Sequence, residues 1–348
     1  MTKPILRVAI NGFGRIGRNV LRAFLEYEHE FLSIQIVAIN DIASADSLVH
    51  LLNYDSTHGR LSAINAHAYL DGDELCIKKA DKLWRITLCN HADPTLLPWQ
   101  ALAIDVVLEC TGVFRGYDEA SRHLHAGAKQ VIIGAAPFDK VDACIVLGVN
   151  DKQLTRALPI ISSVSCTTQA LVPLLWLLDE AFGIDSALLT EIHAVTADQR
   201  VLDTPHRDLR RARASGYNII PTTSSSIQAT LQVLPNLQGK LAGYSVRVPT
   251  INVAMIDVTL TLQRTPSLAG IRQTLQEASS GSLHGIMAYT EAPLVSSDFV
   301  HDRRSLIIDG EMLMLANGQF KVVAWYDNEW GYANRLLALC VALADCTH

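Results

Sequence analysis

The chain has 348 residues, 49% hydrophobic and 18% charged, with a formal net charge of −6. That length exceeds one typical core and predicts two domains, while the negative balance, without runs of Lys or Arg, disfavours a dedicated nucleic-acid surface. No apolar stretch reaches the roughly 20 residues of a membrane helix. The seven cysteines lack CxxC spacing, so neither a metal site nor a disulfide framework is expected and the compartment reads as reducing, most simply the cytoplasm.

The opening MTKPILRVAI has no cleavage pattern and reads as a first strand rather than a signal peptide. It runs into NGFGRIGRNVLRAFLEYE, where Gly12, Gly14 and Gly17 form G-x-G-x-x-G. Ile16, Val20, Leu21, Phe24 and Leu25 then recur at helical spacing. A second buried-type strand, IQIVAIN, ends at Asp41.

Strand, glycine turn, helix, strand and acid in this order make a dinucleotide site. Gly12 permits the tight turn, Gly14 lets a pyrophosphate approach, and Gly17 brings the helix onto the sheet. Asp41 suits ribose hydroxyls and repels a 2′-phosphate, and no Arg follows in DIASADS, so NAD is expected over NADP. Asn11 and Arg15 either contact the cofactor or pin the turn.

Further on, AIDVVLECTG reads as a buried strand ending at Thr111 and Gly112, and YDEASRHLHAGAKQVIIGAAP as a helix and another strand. This alternation predicts a parallel sheet with right-handed crossovers. A new pattern begins after IVLGVN, near residue 150.

In the second half Cys166 stands between strand-like PIISSVS and helix-like TTQALVPLLWLLDEAFG. The hydroxyls around it can cap the helix. A thiol at a helix start beside an imidazolium is expected to have a lowered pKa. Pro173 marks either the true helix start or a kink. The run LLTEIHAVTADQ is strand-like with His193 near its end, a candidate base. Glu191, two residues earlier, shares its face and is expected to raise the imidazole pKa, unless it pairs with an Arg across a subunit contact. Arg213 in DLRRARA and Arg247 in YSVRVPT suit phosphate oxygens.

The motifs INGFGRIGR, NYDSTHGR, SCTT, IHAVTADQRVLD, DLRRARA, RVPT and WYDNEWGYANR together resemble the phosphorylating glyceraldehyde-3-phosphate dehydrogenases, in family order across nearly the whole chain. The segments LDEAFGI, HGI and LIIDG are similar to the erythrose-4-phosphate dehydrogenase branch. The resemblance implies a Rossmann-type parallel-sheet NAD domain over residues 1–165 and an α+β catalytic domain over 166–330. A C-terminal helix, 331–348, returns to the NAD domain.

It further implies Cys166 as nucleophile and His193 as base. Asn11, Gly12, Gly14, Arg15, Ile16, Gly17, Asp41, Thr111, Gly112, Asn328 and Tyr332 are implied on the cofactor. Ser165, Thr167, Thr196, Asp198, Arg213, Ser224, Ser225 and Arg247 are implied around sugar-phosphate aldehyde and inorganic phosphate. A homotetramer is also implied, with no metal and no membrane partner. The implied reaction is oxidation of glyceraldehyde 3-phosphate to 1,3-bisphosphoglycerate through a cysteine hemithioacetal and thioester. The alternative is oxidation of erythrose 4-phosphate to 4-phosphoerythronate, and a third reading is a non-catalytic binding paralogue.

The chain departs from the family at several positions. SSVSCTTQ replaces SNASCTTN, changing Ser163, Val164 and Gln169; TTSSSIQA replaces TTTGAAKA, placing Ser225 for Gly and Gln228 for a Lys. Glu191 stands where Thr is frequent, and Gly134 stands where the family carries a hydroxyl.

Overall fold

The computed structural model describes residues 5–264 and 266–346. Residues 1–4 of the N-terminal reading and the last two of the expected 331–348 helix lie outside the described residues. The chain divides into two compact units. One comprises Met1–Ile145, Asp151–Val164 and Ala333–His348; the other comprises Val146–Asn150 and Ser165–Tyr332.

In the first unit, Leu6–Asn11 is buried at all positions but Arg7, as a central parallel strand covered on both faces must be. It pairs in parallel with Ile34–Asn40 on one side and Val106–Glu109 on the other. Gln130–Ile133, Ile160–Ser162 and Ala143–Cys144 extend the sheet beyond Val106–Glu109, all in parallel. On the far side Lys82–Cys89 is still parallel to Ile34–Asn40, but Glu74–Lys79 and Ala66–Asp71 close the nine-stranded sheet as an antiparallel edge. Ala66–Asp71 alternates buried and exposed residues at its start, the pattern of a strand covered on one face.

The helix Arg15–Glu26 buries Val20, Leu21, Phe24 and Leu25, the positions its apolar spacing marks. The last helix, Trp330–Asp345, completes this unit from Ala333 onward, with Leu336, Leu337, Cys340 and Leu343 fully buried. Arg156 ties it down, donating to the carbonyls of Leu343 and Ala344 at 3.1 and 3.2 Å.

The second unit is built on an eight-stranded mixed sheet. Ile184–Ala194 lies at its centre, parallel to Leu241–Val248 and antiparallel to Ala254–Leu262. Ala187, Leu189, Glu191 and His193 alternate onto one buried face of that strand. A carboxylate and an imidazole therefore sit where two aliphatic residues began. The helix Cys166–Phe182 begins at the thiol itself and runs on through Pro173. Its N-cap is Ser165, whose Oγ accepts the amide of Thr168 at 3.0 Å. Val164, just before, is fully buried at φ +50°, a left-handed conformation that costs a β-branched residue about 1–3 kcal/mol.

Candidate active site

Sheet register assembles the site in the second unit. His193 is directly opposite Arg247 on the parallel neighbour and Ala254 on the antiparallel one. Its Nε2 lies 3.5 Å from the Sγ of Cys166, the first residue of its helix. Its Nδ1 lies 2.7 Å from the carbonyl oxygen of Ala194 and 2.6 Å from Nη1 of Arg247. A neutral ring satisfies one of these at a time. Donation from Nδ1 to the carbonyl leaves the Nε2 lone pair facing the thiol; acceptance from Arg247 puts the proton on Nε2. A base for the thiol needs the first arrangement.

Glu191, 3% exposed, forms the floor behind this pair. Its carboxylate accepts from Thr167 Oγ1 at 2.9 Å and from Ser224 Oγ at 2.5 Å. Thr167 Oγ1 is also 2.7 Å from the hydroxyl of Tyr326 and 4.0 Å from Sγ. Within the chain, therefore, Glu191 is held by the hydroxyls of Thr167 and Ser224.

The electrostatics run against the expected pKa values. Burial pushes the Cys166 thiol up to about 12, with Glu191 adding to the rise against Arg247 and the hydrogen bonds of Thr167. Burial, and after it Arg247, brings His193 down to about 4, and the opposing pull of Glu191 is outweighed. The helix start and the carboxylate were expected to favour thiolate and imidazolium. Desolvation of both groups is the larger effect, and it favours thiol and imidazole over the ion pair.

The other implied anion residues are dispersed around this core. Ser165 Oγ bonds Thr168 Oγ1 and Ser226 Oγ at 2.7 and 3.0 Å. Asp198 is half-exposed and pairs with Arg211 at 2.9 Å; Thr196 is partly buried and begins the same loop. Arg213 is exposed and pairs with Asp203 instead of turning into the site. Arg211 is the guanidinium of that run tied to the sheet, through Thr222 Oγ1 at 2.9 Å. Ser225 and Gln228 are exposed, and Ser224 and Gln228 border a cavity of about 730 Å³ with Arg210 and Asp208. Asn328 is buried with an Oδ1 that has no hydrogen-bond partner, and Tyr332 is buried as well.

The first unit carries the glycine turn. Gly12 has φ +89°, and a Cβ there would lie 2.6 Å from the amide nitrogen of Thr111. A Cβ on Gly17 would lie 2.1 Å from the carbonyl oxygen of Gly12, whereas one on Gly14 would meet nothing within 4 Å. Gly12 and Gly17 are thus required by the chain's own packing, and Gly14 leaves its side open to a ligand. The helix behind has no side-chain cap and no acid in its first turn, which leaves its N–H groups to an anion. Ile16, in that turn, is partly buried. Asp41 accepts the amide of Phe13 at 2.7 Å and that of Ala43 at 2.9 Å, fixing the carboxylate beside the turn. Arg15 is engaged by Asp55. These residues fit a dinucleotide.

Asn11 is a pin. Its amide bonds the carboxylate of Glu109 at 2.5 Å and accepts from Asn40 at 2.7 Å. Glu109 also accepts the amide and hydroxyl of Thr111 and lies 3.1 Å from His123 Nε2, whose Nδ1 accepts from Trp99 at 3.0 Å. This buried network locks the ends of three parallel strands under the turn. In sequence Glu109 and His123 looked like ordinary strand-end and helix residues; Glu109 meets Asn11 from 98 positions away and His123 from 14.

Among the described residues no helix is long and apolar enough to cross a membrane. Comparison with known proteins agrees with both units. The profile of the glyceraldehyde 3-phosphate dehydrogenase NAD binding domain matches residues 6–117, and that of the C-terminal domain of the same family matches residues 165–328. A glyceraldehyde-3-phosphate dehydrogenase of Mycobacterium avium is 46% identical over 335 residues, covering 96% of this chain and 97% of its own. One from Mycobacterium bovis (strain BCG / Pasteur 1173P2) is similar to the same degree and extent.

Proposed function

The chain belongs to the glyceraldehyde 3-phosphate dehydrogenase family, and from that premise we propose that it oxidises glyceraldehyde 3-phosphate through a hemithioacetal and then a thioester on Cys166. The observation that carries this reading is the 3.5 Å contact of Cys166 Sγ with His193 Nε2 at a helix start.

The chemistry follows from a neutral pair. Sγ attacks the aldehyde carbon while Nε2 takes the thiol proton and delivers it to the carbonyl oxygen. His193 then removes the hydroxyl proton of the hemithioacetal as its carbon gives up hydride, leaving a thioester. NAD, when bound, supplies the hydride acceptor; Gly12, Gly14, Asp41, Thr111 and Gly112 would hold it. Arg247, beside His193, and Thr196 suit the phosphate of the substrate.

Family resemblance assigns the thioester to inorganic phosphate, giving 1,3-bisphosphoglycerate. A second reading is release of an acid, as in oxidation of erythrose 4-phosphate to 4-phosphoerythronate, and the burial of Glu191 beside the thiol favours it. For assembly the proposal is a homotetramer, supported by exposed Leu188, Tyr244, Leu209 and Tyr217 on the second unit.

Rapid mixing with NAD and either sugar phosphate tests the shared first half. One equivalent of NADH should form per Cys166 in a burst, with the acyl group found on Cys166 by mass spectrometry. Cys166→Ser should show neither. An equal burst from that variant would remove Cys166 from the reaction.

A further inference from the structure

We infer that the buried carboxylate of Glu109 is a positioning residue for the dinucleotide, setting the spacing between two turns of the first unit, Gly12–Gly14 and Thr111–Gly112. The inference deepens the proposed function and rests on it in taking both turns as cofactor contacts. Asn11 and Glu109 are directly opposite at the ends of two parallel strands, and each strand runs straight into one of the turns. The backbone ladder reaches one residue further, where the amide of Cys110 donates to the carbonyl of Asn11 at 2.7 Å. The next amide, that of Thr111, turns to a side chain instead. Glu109 Oε1 accepts it at 2.8 Å and accepts the Thr111 hydroxyl as well. Oε2 faces the other way, accepting from Asn11 Nδ2 at 2.5 Å and lying 3.1 Å from His123 Nε2. One carboxylate thus bridges the residue before the first turn and the residue that begins the second.

The direction of every hydrogen bond around it is fixed. Trp99 Nε1 can only donate, and it donates to His123 Nδ1, so the ring hydrogen is on Nε2 and points at Glu109. On the other side the amide of His91 donates to Asn40 Oδ1, Asn40 Nδ2 to Asn11 Oδ1, and Asn11 Nδ2 to Glu109. Two relays of donors therefore end on Oε2, and Thr111 supplies two more donors to Oε1. A carboxylate accepts on both sides. A carboxamide of the same shape has one oxygen and must turn its NH₂ toward a donor. Trp99 and Asn40 hold the inner side, so that NH₂ would face Thr111 and release its amide.

Thr111 is engaged within its turn, giving its hydroxyl proton to Glu109 and accepting the amide of Val113 at 3.0 Å. Thr111 and Gly112 are exposed, and Gly112 has φ +73° with open space where a Cβ would stand. The turn therefore offers a ligand its main chain, and its fit depends on where Glu109 holds it. A Cβ at Gly12 would lie 2.6 Å from the Thr111 amide nitrogen, so the two turns abut and a shift of one is felt by the other.

The test is Glu109→Gln in the full chain, with thermal unfolding to confirm that the variant is folded. NAD binding is titrated directly, amide hydrogen exchange is followed residue by residue without NAD, and oxidation of glyceraldehyde 3-phosphate is measured at varied NAD. Loss of a hydrogen bond to a charged group should raise the Kd for NAD by about tenfold or more. Exchange at Thr111 should quicken while the strand Leu6–Asn11 keeps its protection. A positioning role should raise KM for NAD and leave kcat within about threefold of wild type. Glu109→Asp, one methylene shorter, keeps the charge but cannot span both turns and should behave alike. A folded Gln variant with unchanged NAD affinity overturns the inference, whatever its loss of stability. Faster exchange at Thr111 without weaker binding overturns it too. If neither variant folds, the wild type decides: a Thr111 amide protected before NAD is added upholds the preset spacing, and protection that appears only with NAD overturns it. A wild type that binds no NAD overturns the reading of both turns as cofactor contacts and this inference with it.

Discussion

Two neighbours compete for one nitrogen of His193, and burial decides whether that ring carries a charge at all. The imidazole is brought from 6.5 to about 4, first by desolvation and then by Arg247. A folded-state pKa below the unfolded one means that the unfolded chain binds the proton first on acidification. Stability from this group is therefore complete above about pH 6.5 and is lost as pH falls through about 4. Asn in its place cannot titrate. We expect His193→Asn to lose less stability than the wild type between pH 7 and 4, read from urea unfolding at each pH. Parallel losses in the two proteins would show that the ring is not held neutral. Cys166 works at the other end of the scale, its raised pKa removing stability only as pH climbs from 9 toward about 12. The direction of both shifts was hidden in the sequence. Helix position and charge are legible there, but desolvation depends on what packs over the pair.

At the scale of elements, the glycine turn separates packing from binding. Alanine at Gly17 would drive its Cβ to 2.1 Å from a backbone oxygen, so the helix must move off the strand. Overpacking of this kind costs about 1–3 kcal/mol. Alanine at Gly14 meets no protein atom within 4 Å and stands in the open side of the turn. We expect Gly14→Ala to keep stability within about 0.5 kcal/mol of wild type, the range of a change that touches no packed group. Its NAD affinity should fall at least tenfold, while Gly17→Ala should lose both. Thermal unfolding and a binding titration of the same samples check this. Equal loss of stability in the two variants would mean that Gly14 serves packing. Strand, turn, helix and acid were legible because each obeys a local rule of spacing. The strand-like run before His193 was legible as well, including the shared face of Glu191. What occupies that face was not, because Thr167, Ser224 and Tyr326 arrive from three other elements. The same holds for Glu109 and His123 beneath the turn.

For the whole molecule, chain order and spatial order part company at the end. The nine-stranded sheet belongs to a unit finished by residues from Ala333 on, which Arg156 fastens through Leu343 and Ala344, 187 and 188 positions further along the chain. Alternation of strands and helices foretold the parallel part of that sheet. It did not describe the antiparallel edge of Glu74–Lys79 and Ala66–Asp71, whose register is set by pairing and not by crossover helices. Nor does local pattern show where an apolar last helix packs; its return came from family resemblance. The helix itself can be tested as one docked element. Leu336→Ala empties a fully buried site and should cost about 2–5 kcal/mol. Arg156→Ala leaves two terminal carbonyls without their donor, at about 1–3 kcal/mol. If the helix docks as a unit, either change loosens it, and the second then finds less to remove. Urea unfolding of the two single variants and the double should give a double loss smaller than the sum by more than about 0.5 kcal/mol. Strict additivity would mean that the helix holds its place through contacts that do not depend on one another.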